Sequence, residues 1–105
     1  MVVVGFEIIT SLIAREKRLR PAQGKSLDRR IAAWKQEVEL ARRSNPMEVK
    51  AVFGTADNVG GGRIIFDVSG NNYRLVVQFN YPVGVARVRF AGTHAEYDRI
   101  DVKEV

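Results

Sequence analysis

The chain has 105 residues, 46% of them hydrophobic and 28% charged, with a net charge of +5, a pI of about 10.0 and no cysteine. That length and balance predict one small soluble domain, residues 1–105. The missing thiols exclude a disulfide framework, a zinc–thiolate site and a thiol nucleophile, in keeping with a reducing cytoplasm.

Residues 2–9, VVVGFEII, are apolar and β-branched and predict a short strand. Glu7 and the lack of a basic stretch ahead of it make this opening a poor signal peptide. No apolar run approaches the ~20 residues that cross a bilayer, so no membrane association is expected. From Ser11 the pattern predicts a short helix ending before Pro21, with AQGK as a turn. Ser26 is the candidate N-cap of a longer helix through about Arg43. Its apolar positions Leu27, Ile31, Trp34, Val38 and Ala41 (or Leu40) recur at three- and four-residue steps, a stripe with a basic opposite face. Asn45 can cap one or two further turns, PMEVKAVF, with Pro46 at the first helical position.

The second half changes period. RIIFDVS, YRLVVQFNY and VARVRFAG are strand-like runs separated by GNN and PVG, which are turn sequences, so an antiparallel meander of three strands is expected. The predicted fold class is α+β, a helical hairpin packed on one face of a small antiparallel sheet.

Charge is unevenly spread. Residues 1–46 hold ten Lys/Arg and five Asp/Glu, whereas residues 47–105 hold seven of each. A basic half attracts a polyanion such as RNA, or an acidic partner protein; a solvated helix surface explains it equally well.

Strand alternation assigns Ile64, Phe66, Val68, Tyr73, Leu75, Val77, Phe79, Tyr81, Ala86, Val88 and Phe90 to an apolar face. The opposite face collects Arg63, Arg74, Arg87 and Arg89 with Gln78 and Asn80. Arginine presents fixed donors that match phosphate oxygens in pairs, so this face could bind phosphate; it could also be the wet side of an ordinary antiparallel sheet.

The stretch GTHAEYD, residues 92–98, holds the lone histidine of the chain. Thr93 and Glu96 fit a capping box that opens a helix. His94 and Tyr97 then stand at i and i+3 on one helix face, aimed at Arg89 or the sheet around it. Cutting RNA without a metal requires a base for the 2′-hydroxyl proton, an acid for the leaving oxygen and cations for the phosphorus-borne charge. Histidine can take either proton role near neutral pH, positioned tyrosine can share it, and arginine supplies charge. A capping histidine can equally be structural, and Tyr97 a core aromatic with its hydroxyl at the rim.

Four stretches, AAWKQEV, VKAVFGTADNV, FDVSGNNYRLVVQFNY and VRFAGTHAEYD, resemble the HigB-type toxins of bacterial toxin–antitoxin systems, within the RelE/ParE superfamily, over roughly residues 26 to 101. The resemblance includes the pattern G-x-x-x-R-L-V at Gly70–Val76 and T-H-x-E-Y-D at Thr93–Asp98. It implies a microbial-RNase-like fold and an mRNA interferase, an endoribonuclease that cuts messenger RNA, commonly on the ribosome, without a metal or other cofactor. It implies a cognate helix-turn-helix, HigA-like antitoxin as partner and a cytoplasmic location. Carried over position by position, Arg74 and Arg89 would stabilise the scissile phosphate, and His94 and Tyr97 would be the proton-transfer groups. Lys50 and Arg63 fall on basic positions of the family, and with Gln78 and Arg87 would line the substrate path. The segment up to about residue 25 is longer and more basic than the family pattern. Two other readings stand beside this one: a non-catalytic ParE-like inhibitor, which has no need of His94, and an RNA-binding module without poison activity.

Overall fold

A computed structural model describes residues 1–41, 56–69 and 72–105. Element order is β1 (Val2–Val4), α1 (Glu7–Leu19), α2 (Pro21–Leu40), β2 (Asp57–Gly60), β3 (Arg63–Val68), β4 (Tyr73–Asn80), β5 (Val85–Thr93) and a short α3 (His94–Tyr97). The two long helices pack on a five-stranded mixed sheet of order β1-β5-β4-β3-β2, an α+β fold.

The expected meander is present as β3, β4 and β5, paired antiparallel. Two strands flank it. The glycine-rich segment after Ala56 forms β2, an antiparallel partner of β3, and β1 joins β5 in parallel. Only the first three residues of the predicted N-terminal strand are extended. The chain turns at Gly5 and helix α1 begins at Glu7, four residues earlier than Ser11. Ile9, Leu12, Ile13 and Glu16 then line one side of α1 and are buried, so helical spacing outweighs the β-branched content of Ile8 and Ile9.

Pro21 opens α2 rather than closing a helix-and-turn segment. It occupies the first helical position, where proline's missing N–H is no loss. AQGK is therefore helical, Ser26 is not a cap, and Arg20 alone separates the helices. Gly24 makes the tight crossing possible: a Cβ there would lie 2.4 Å from the Lys17 backbone nitrogen. The stripe of α2 is as predicted at Leu27, Ile31, Trp34 and Val38, but the helix stops at Leu40, which is exposed, before the expected Arg43. Asn45, Pro46 and the turns expected to follow lie outside the described residues.

The core fills the space between the helices and the inner sheet face. Trp34 meets Phe66 edge-on with ring centroids 5.6 Å apart, and Phe66 meets Phe79 at 6.1 Å. Ile64, Val68, Tyr73, Leu75, Val77, Ala86 and Val88 complete it, as alternation assigned them. Phe90 does not belong there. A β-bulge in β5 sets Val77 opposite Val88 but Val76 opposite Phe90, with Arg89 as the extra residue. Beyond the bulge the faces exchange, so Ala91 packs toward the core and Phe90 turns to the outer face.

Candidate active site

Pairing across β3, β4 and β5 sorts the outer face into rows. One row is Arg63, Gln78 and Arg87, side by side on three strands. The next is apolar: Ile65, Val76 and Phe90, with Ile65 and Val76 buried. The third is Asp67, Arg74 and Gly92. The outer face is thus two polar patches separated by a buried apolar band, not one continuous wet surface.

In the first patch the bulge projects Arg89 onto Gln78, whose Oε1 accepts from Arg89 Nε at 3.0 Å and Nη2 at 2.8 Å. Gln78 Nε2 donates to the Gly61 carbonyl at 3.1 Å, so this amide is held at both ends. Arg87 and Arg89 are exposed. Arg63 is half-buried, and its Nη2 donates to the Val105 carbonyl oxygen at 2.9 Å. Beside this patch opens a cleft of about 470 Å³, lined among others by Gln78, Asn80, Tyr81, Pro82, Val83 and Arg87. Lys50 lies outside the described residues.

The second patch gathers at the start of β4. The Arg74 guanidinium stands over the Tyr97 ring, 4.8 Å from its centroid, and Arg74 Nε is 3.2 Å from Asp67 Oδ1. Phe90 also packs against Tyr97, with centroids 6.3 Å apart and the rings tilted by 58°. Gly92, opposite Arg74, is required by this crowding: a Cβ on it would lie 2.7 Å from the Phe90 ring tip and 3.3 Å from Glu96. The sequence aimed the ring pair at Arg89 or the sheet around it; the bulge sends Arg89 to Gln78, and Arg74, on the neighbouring strand of that sheet face, is the arginine that Tyr97 meets.

The capping box is formed as expected. Glu96 N–H donates to Thr93 Oγ1 at 3.2 Å, and Thr93 N–H donates to Glu96 Oε1 at 3.0 Å. The first helical N–H, that of His94, goes to the Asn72 carbonyl at 3.0 Å, tying the turn to the start of β4. His94 Nδ1 lies 3.2 Å from Asp98 Oδ2 one turn on. A carboxylate there favours the tautomer with a proton on Nδ1, which leaves the lone pair on Nε2. His94 and Tyr97 are each only partly buried, so a substrate can reach them.

Behind the turn lies a network that motif reading missed. Glu16 is fully buried in α1. It accepts from Tyr73 Oη at 2.6 Å, from Arg20 Nη1 at 2.9 and 3.0 Å, and from Arg15 Nε at 3.3 Å. Burial pushes this carboxyl upward, but the Tyr73 and arginine donors outweigh it and hold it below the usual carboxylate range. The same Arg15 reaches Glu96 with both terminal nitrogens, at 3.0 and 2.6 Å. That pairing, chiefly, lowers the Glu96 carboxyl to about 2. Burial and the bond to Glu16 push the Tyr73 phenol up to about 12. A sequence signal existed: Glu16 stands three residues after Ile13 on the apolar stripe of α1, a core position for a charged residue.

Residues 28–100 match the family model HigB_toxin, described as the RelE-like toxic component of a toxin–antitoxin system. No curated protein matches the chain. Among the described residues no helix is long and apolar enough to cross a membrane, and no cluster of His, Asp and Glu is placed to hold a metal ion.

Proposed function

The chain belongs to the HigB family of RelE-like toxins of toxin–antitoxin systems, and on that premise we propose that it is a metal-independent endoribonuclease of cytoplasmic messenger RNA, acting on the ribosome. The observation that carries this reading is the stacking of Arg74 on Tyr97 on the turn that also bears His94. An inhibitor that only occludes a partner has no evident use for an arginine held over a phenol on a turn that also bears an imidazole.

In this reading Arg74 holds the scissile phosphate and offsets the charge that grows on it, while its stacking on Tyr97 fixes the guanidinium plane. His94 Nε2 and the Tyr97 hydroxyl exchange protons with the 2′-hydroxyl and the leaving 5′-oxygen. Arg89, Arg87 and Gln78, across the apolar band, hold the neighbouring backbone phosphates, with Arg63 at the rim and Lys50 as a further cation. Membership of the family implies an antitoxin partner; we assign it the HigA-like helix-turn-helix type.

The test is controlled expression of the chain without antitoxin, with 5′ ends of cellular mRNA mapped within minutes. New internal cuts that vanish in His94→Ala are the expected result. Growth arrest with intact mRNA would overturn the nuclease reading in favour of a ParE-like inhibitor.

A further inference from the structure

Arg15, Glu16 and Arg20 all precede the matched span, residues 28–100, and the proton-transfer chemistry uses none of them. We propose that Arg15 is a positioning residue: it fixes Glu96, and through Glu96 the turn that carries His94 and Tyr97. The inference rests on the ribonuclease reading of that turn.

Helix α3 has four residues, far below the length at which a helix holds its own shape. Its geometry must therefore be imposed from outside. One constraint is local, the Thr93–Glu96 box, and a second ties the His94 N–H to the Asn72 carbonyl at the start of β4. The third comes from 81 residues away. Arg15 Nη1 and Nη2 grip the two oxygens of Glu96, one oxygen each. A paired guanidinium–carboxylate contact sets the plane of the carboxylate as well as its distance. Glu96 Oε1 is thereby aimed at the Thr93 N–H, which it accepts at 3.0 Å.

A clamp must itself be anchored. Arg15 is secured at Nε by Glu16, and Glu16 is held by Tyr73 and Arg20 inside the fold. Tyr73 is the first residue of β4, and Arg74 follows it. One buried carboxylate thus ties α1 both to the strand that begins beside Arg74 and, through Arg15, to the turn that presents Tyr97. The contact between Arg74 and Tyr97 depends on the relative placement of those two elements. The low value of the Glu96 carboxyl means that the clamp stays charged across any pH at which a histidine works.

The test uses the full chain and a synthetic mRNA on programmed ribosomes. Arg15→Ala is expected to lower kcat by about 10- to 100-fold with KM little changed, since misplacement acts on geometry and not on affinity. Arg15→Lys, which keeps charge but not the paired grip, should fall between. Glu96→Gln preserves the capping box and loses the charge partner; it should match Arg15→Ala, and the double variant should fall no further. Lys17→Ala, which removes an exposed ion pair between the helices, should leave the rate unchanged. Amide hydrogen exchange of the free protein gives a second readout: Thr93 and Glu96 should lose protection in Arg15→Ala while the central amides of β4 keep theirs. Full activity in Arg15→Ala, or unchanged exchange at Thr93, overturns the proposal. If Arg15→Ala does not fold, Arg15→Lys and Glu96→Gln carry the same comparison. If the unaltered chain cuts no RNA, the ribonuclease reading fails alone, and exchange at Thr93 still decides whether Arg15 holds the turn.

Discussion

Arg74 and Tyr97 are in face contact, the guanidinium carbon 4.8 Å from the ring centroid, although they come from different elements. Their roles can be separated by substitution. Arg74→Ala should lower the cleavage rate by about 100- to 1000-fold, the usual loss when a donor to a developing charge is removed. Tyr97→Phe keeps the ring under the guanidinium, so any loss of rate reports on the hydroxyl alone. A Tyr97→Phe chain as active as the parent would remove Tyr97 from proton transfer and leave it as a platform for Arg74.

Asp98 stands one turn beyond His94, its Oδ2 3.2 Å from the imidazole Nδ1. Asp98→Asn is expected to reduce the rate by about tenfold and His94→Ala by a further ~10- to 100-fold, within the range assigned to positioned acid–base groups. Single-turnover cleavage measures both. Equal losses for the two variants would mean that ring and carboxylate act as a unit, the imidazole being effective only when Asp98 orients it.

Tyr73 and Glu16 form a buried pair that links alkaline pH to stability. The phenol ionises near 10 in the unfolded chain and at about 12 in the fold, so the fold binds the extra proton between those values. Its contribution is complete below pH 10 and is lost as pH rises toward 12, on the order of 2 kcal/mol. Tyr73→Phe should remove this alkaline loss. It should also cost about 1–3 kcal/mol at neutral pH, because Glu16 stays buried with one donor fewer. Urea unfolding from pH 7 to 12 tests both signs.

Glu96 acts at the other end of the scale. Its carboxyl titrates at about 2 in the fold against 4.5 ordinarily, so its stabilisation is present above pH 4.5 and is lost as pH falls toward 2. Both partners are more than a third exposed, and solvent screening limits the effect to about 1 kcal/mol. Acid unfolding of Arg15→Ala should therefore show a shallower decline than the parent over this window.

Gly24 sets the distance between α1 and α2. Gly24→Ala forces a methyl group against the Lys17 backbone, which cannot swing away as a side chain could. A loss of about 3 kcal/mol is expected, read as a lower midpoint in thermal or urea unfolding. A variant of parental stability would mean that the helices separate at little cost.

Much of the sheet was legible because period-two alternation survives wherever one face is buried. Ile64, Phe66, Leu75, Val77 and Val88 went to the core as assigned. The capping box was legible because Thr93 and Glu96 are local partners. The bulge at Arg89 was not, since nothing in VARVRFAG marks where one extra residue enters the ladder, and so Phe90 was placed on the wrong face. The N-terminal region misled for a different reason. A β-branched run and a proline each have two meanings, and tertiary packing chose helix for Ile8 and Ile9 and helix start for Pro21. The Arg15–Glu96 contact is beyond any local rule, because it joins residues 81 positions apart.

The parallel pairing of β1 with β5 has a consequence for synthesis. Val2, Val3 and Val4 are made long before their partners Val85, Ala86 and Arg87. Residues 2–4 must wait unpaired while the intervening chain emerges, since a ladder of such high sequence separation cannot close early. The finished sheet, and with it the Arg74–Tyr97 contact, exists only after β5 and the turn beyond it have left the ribosome. The contact on which the proposed cleavage rests is therefore among the last parts of the fold to form.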